Sequence, residues 1–115
     1  MSRAYTKKEA RKKFLDGIHE IVDYWVNEAR DRTVEGKING AVFSILAMID
    51  GSNIDIPAFD IAINSHPDDK EFYKKEGSNW FEDGMIINDD CSLHNIWYNG
   101  ESQEEDNKVK EEKND

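Results

Sequence analysis

The sequence predicts a mainly α fold with a minor β element (α+β): an N-terminal antiparallel helical hairpin, a short two-stranded β element and two short C-terminal helices. Three observations carry this. Apolar residues recur at a 3.6-residue period from Phe14 to Ala29 and again from Val34 to Ile49. Only residues 59–63 alternate like a strand, with Met85, Ile86 and Ile87 the one run able to pair with them. Helix-start and helix-stop residues bracket two further short stretches. The densest apolar run, residues 40–51, is the centre onto which the rest must fold.

The first helix is expected to start at Lys7, because Thr6 and Glu9 form a capping box, each side chain accepting from the backbone of the other. Phe14, Leu15, Ile18, Ile21, Val22, Trp25, Val26 and Ala29 make its apolar stripe, and Arg30 and Arg32 suit its C-terminal end. Gly17 in mid-helix marks either a close approach of another segment or a tolerated weakness. Thr33 caps a second helix carrying Val34, Ile38, Ala41, Val42, Ile45, Leu46 and Ile49. A loop this short makes the two helices a hairpin.

Asp50-Gly51-Ser52-Asn53 is turn chemistry. The strand over 59–63 follows Pro57, which makes it an edge strand or places it after a kink. Pro67 at the start, Asp68 and Asp69 in the first turn, Lys74 and Lys75 in the last and Gly77 beyond predict a surface helix over 67–76. Asp89, Asp90 and Ser92 offer caps to a last helix over 93–98, closed by Asn99-Gly100. Residues 1–100 are thus read as a single globular domain, and 101–115 as an acidic disordered tail whose one apolar residue, Val109, cannot repay ordering.

The formal charge of −10 is uneven: residues 1–32 carry eight Lys/Arg against six Asp/Glu, whereas residues 33–100 carry four against twelve. Such a field repels nucleic acid and anionic membrane and favours basic protein partners, metal ions or simple solubility. A single cysteine, Cys91, allows no intrachain disulfide and no thiolate zinc cluster, and the charged N-terminus lacks a leader's apolar segment. A cytoplasmic protein is expected. The aliphatic residues do not suffice to cover both faces of the second helix within one chain, so a homo-oligomer is expected as well.

His66 and His94 lie at helix starts beside carboxylates, and two His with a carboxylate suit zinc or iron; their spacing matches no H-E-x-x-H pattern. His19 reads as a structural residue beside the apolar stripe. There is no G-x-S-x-G and no phosphate-binding glycine loop, and Cys91 follows two aspartates that disfavour its thiolate. No resident cofactor or metal is therefore assigned.

The segments Ser-Ile-Leu-Ala-Met-Ile-Asp-Gly at 44–51, His-Pro-Asp-Asp-Lys-Glu at 66–71, Glu-Gly-Ser-Asn-Trp at 76–80 and Leu-His-Asn-Ile-Trp-Tyr at 93–98 resemble a group of small bacterial and phage-borne proteins with the same order of segments. The resemblance covers about residues 14–98, has no established activity, and implies a bacterial or mobile-element setting. In composition the chain is also similar to phage inhibitors of host defence and to toxin-immunity proteins.

The residues favour a non-enzymatic binding protein holding a small polar ligand of nucleotide-like character against His66, Lys70, Asn79, Trp80, His94 and Trp97. Here Asn79 reads a ring edge, Trp80 stacks and Lys70 meets a phosphate. One alternative is an acidic inhibitor or immunity-type module that masks a basic site on a partner through Asp68, Asp69, Glu71, Asp89 and Asp90. A second is a metal-assisted hydrolase using His66 and His94.

Overall fold

The structure, a computed structural model, describes residues 2–31 and 33–99. It is mainly helical: α1 (Lys7–Asn27), α2 (Val34–Ile49), α3 (Asp69–Glu76) and α4 (Leu93–Asn99). The chain divides into two compact units, one holding α1, α2 and the chain to Ala58 and resuming at Ser92 with α4, the other formed by Phe59–Cys91. The expected acidic tail lies outside the described residues.

In the first unit α1 starts where the capping box requires, with Thr6 Oγ1 accepting from Glu9 N at 3.1 Å and Glu9 Oε1 accepting from Thr6 N at 2.9 Å. The carboxylate also takes both guanidinium nitrogens of Arg3. The Arg3 pairing, with the Thr6 backbone and hydroxyl bonds behind it, holds Glu9 down at a pKa of about 2. Thr33 caps α2 through Gly36 N at 2.9 Å. The C-terminus of α1 falls short of the expected one: the helix ends at Asn27, Glu28 caps it, and Arg30 lies beyond the last turn. Asp31 accepts from the backbone and the hydroxyl of Thr33, which turns the chain directly into α2.

The helices run antiparallel, since Gly17 meets Met48 at one end while Trp25 meets Gly40 and Ser44 at the other. Both glycines are there for proximity. A Cβ on Gly17 would stand 2.7 Å from Met48 Sδ and 3.2 Å from Ile56 Cδ1, and one on Gly40 would overlap the Trp25 indole. The Trp25 Nε1–H donates to Ser44 Oγ at 2.8 Å, so the half-buried ring keeps its polar atom satisfied. Met48 (2% exposed) and Ile56 (7%) are the hydrophobic residues buried most completely among those described. The other side of α2 carries α4, where the Phe43 ring meets His94 and Tyr98, each at 5.4 Å between centroids.

In the second unit the two stretches expected to pair do meet, but among the described residues they form one antiparallel bridge, Ala62 with Ile86, and no extended strand. Ile63 N donates to Met85 O and Ile87 N to Ile61 O. Beyond Ile87 the ladder is continued by a side chain: Asn88 Oδ1 accepts from Ile61 N and its Nδ2 donates to Phe59 O, both at 2.8 Å. At the other end Gly84 N turns back onto Ile63 O, closing the pairing. The helix expected from Pro67 begins two residues later, because Asp69 N bonds to His66 O in a tight turn and the first α-type bond is Phe72 N to Asp68 O. Gly77, at φ 73°, ends it in the left-handed conformation.

Candidate functional site

The second unit gathers three of the residues singled out in the sequence around one indole. Lys70 projects from the first turn of α3 and Lys74 from one turn later, the i, i+4 spacing that places both on one face. Their ammoniums stand 5.5 and 5.3 Å from the centre of the Trp80 ring. Ser78 N bonds back to Tyr73 O after the Gly77 cap, so the chain reverses and returns Trp80 beneath the helix.

Glu82, absent from the sequence-based set, ties this arrangement together. Its Oε1 accepts from Trp80 Nε1 at 3.1 Å and lies 3.4 Å from Lys70 Nζ. The indole hydrogen bond, followed by Lys70 and Lys74, holds its carboxyl below the usual carboxylate range. Asn79, Trp80 and Glu82 line an open depression of about 400 Å³. An indole, an amide and a carboxylate therefore border this depression, and two ammoniums stand over the same indole. Of the remaining candidates in this unit, His66 Nδ1 accepts from Asp68 N at 3.1 Å, and Asp69 Oδ2 accepts from His66 N at 3.2 Å. Asp68, Glu71, Asp89 and Asp90 are exposed.

His94 and Trp97 belong to the first unit, on α4. The carboxylate of Asp50, at the end of α2, caps α4 from a distance in sequence: Oδ1 accepts from Leu93 N at 3.1 Å and Oδ2 from His94 N at 2.9 Å. The same Oδ2 lies 2.5 Å from His94 Nδ1 and accepts from Ser92 Oγ at 3.3 Å. Burial opposes ionisation of Asp50, but the bonds from the backbone and ring of His94 and from Leu93 N outweigh it and lower its pKa. The trio of Ser92, His94 and Asp50 is not a hydrolytic triad. Ser92 Oγ lies 3.1 Å from Nδ1, the nitrogen that already faces the carboxylate, whereas a serine nucleophile must meet the opposite ring nitrogen. These contacts fasten α4 to α2 instead. Trp97, on the same helix, is 42% exposed.

Among the described residues no group of three or more His, Cys, Asp or Glu is placed to hold a metal ion, and no helix is long and apolar enough to cross a membrane. Comparison of the chain with protein-family models, with curated proteins and with solved structures finds no match.

Proposed function

We propose that the chain is a non-enzymatic cytosolic binding protein whose second unit takes a small planar ligand carrying one negative charge, nucleotide-like in character, on Trp80. Two ammoniums converging on one indole, whose N–H is already tied to a carboxylate, support it. The lysine heads ride on long flexible stems, so a ligand ring takes the indole face while the ammoniums turn to its anionic group. Asn79 and the second oxygen of Glu82 then meet donors and acceptors on the ring edge. The acids at Asp68, Asp69 and Glu71 weigh against a multiply charged anion.

The test is calorimetric titration of the full chain with purine and pyrimidine cyclic nucleotides, whose phosphodiester carries a single negative charge, and with the matching unphosphorylated nucleosides, preceded by native mass spectrometry of gently purified protein. Trp80→Ala should weaken binding by about 1–3 kcal/mol, roughly 5- to 150-fold, through the lost stacking. Lys70→Ala with Lys74→Ala should remove the preference for the phosphorylated form. Wild-type affinity in both variants would rule the site out. A second reading, an acidic module covering a basic partner, is favoured by the openness of the depression and the exposure of Asp68, Glu71, Asp89 and Asp90. It predicts binding that weakens steeply with salt and that depends on these acids more than on Trp80.

A further inference from the structure

On the side of the hairpin away from α4, the first unit leaves apolar side chains uncovered. Leu15, Val22 and Val26 of α1 and Val34 and Ile38 of α2 are exposed, from 43% at Val22 to 75% at Val34. Counted from the line where the helices touch, each set lies about a third of a turn round its own helix in the same sense. In an antiparallel pair that brings both sets to one side. Phe43, which meets α4, lies round α2 in the opposite sense.

The charges of α1 are also the reverse of what its helix dipole favours. Residues 7–13 carry five Lys/Arg and one Glu, whereas residues 16–28 carry four Asp/Glu and no Lys/Arg. Cations at the N-terminus and anions toward the C-terminus are each unfavourable in an isolated helix. The antiparallel neighbour within the chain does not offset this, since α2 bears only Glu35 and Lys37. A second α1 running antiparallel does, by setting basic half against acidic half at both ends.

We propose that this face packs against a second copy of the chain about a two-fold axis, α1 antiparallel to the partner copy's α1, so that two hairpins close a four-helix bundle. The two-fold makes one charge-polarised helix complementary to itself, which a different partner would have to match by separate design. The size fits too. With 16 residues in α2 the face is about 24 Å long, and two packed helices make it about 20 Å wide. That is about 480 Å² in flat projection, which side chains standing out of the face raise toward the lower end of specific interfaces, about 600 Å² of accessible surface from each partner.

Sedimentation velocity of the full chain over a range of concentration and salt tests this. A species of twice the 13.3 kDa chain mass, dissociating as salt rises, is expected. Val22→Glu with Val26→Glu should give a monomer whose circular dichroism keeps the wild-type helix content. As a control independent of that variant's folding, Lys8→Glu with Arg11→Glu and Asp16→Lys with Asp23→Lys should each be monomeric alone and associate one-to-one when mixed. A wild-type chain that stays monomeric at every concentration overturns the proposal. So does a dimer that survives Val22→Glu with Val26→Glu, or a pair of charge-swapped variants that fail to associate.

Discussion

Asn88 does the work of a missing strand residue. Its amide supplies one donor and one acceptor to Phe59 O and Ile61 N, 27 to 29 residues away, and it is the polar residue buried most completely among those described. Replacing it with Ala leaves both backbone groups without a partner, so a loss of about 1–3 kcal/mol is expected by urea unfolding. Asn88→Asp should fail as well, because a carboxylate cannot donate to Phe59 O. Asp50 makes a pH-dependent counterpart. Its folded-state pKa is lowered from 3.8, so the stability it confers is fully present above that pH and is lost as pH falls through the lowered value. Asp50→Ala should cost about 1–2 kcal/mol at neutral pH, the range for a lost helix cap. The gap between wild type and variant, followed by thermal unfolding at several pH values, should close below pH 3.8.

At the scale of elements, the α1–α2 contact sets two effects of opposite sign against each other. Replacing a mid-helix glycine with alanine gains about 1 kcal/mol of helix propensity. At Gly40 the new methyl would enter the space of the Trp25 ring, which the Ser44 hydrogen bond holds in place. Overpacking of that kind costs about 1–3 kcal/mol, so Gly40→Ala should destabilise the chain or leave it no better than wild type. A clear rise in the urea midpoint would show that the two helices can separate freely at that point. In the second unit α3 has no buried residue, and its position depends on its Gly77 cap and on the Trp80 and Glu82 contacts.

For the molecule as a whole, apolar burial is concentrated in the first unit, at Met48 and Ile56, while Asn88 is the buried residue of the second. Local opening free energy follows local burial. Amide exchange should therefore be slowest in α2 around Met48 and at least about tenfold faster in residues 59–91, since each 1.4 kcal/mol of opening free energy is a factor of ten. Equal protection across both units would mean that they open together. The shortage of buried hydrophobic residues bears on the proposed assembly too, because a hairpin with one side uncovered would gain apolar burial by closing a bundle.

What the sequence by itself determined was whatever is satisfied within about four residues along the chain. The capping box at Thr6 and Glu9, the Thr33 cap and the Gly77 stop are local chemistry, and the helices begin or end at them. Lys70, Asn79 and Trp80 were legible as candidates because helix punctuation and an aromatic next to an amide stand out in a charged segment. The tertiary structure alone decided the long-range partners: Asp50 for the α4 backbone 43 residues on, Asn88 for the edge at Phe59 and Ile61, and Glu82 for Lys70. Asp50 and Asn88 look like turn residues in sequence, since a carboxylate or amide there bonds its own backbone as readily as a distant one. The choice falls to the distant partner only once packing around Met48 and the pairing of Ala62 with Ile86 have brought the segments together and removed the water that would otherwise compete.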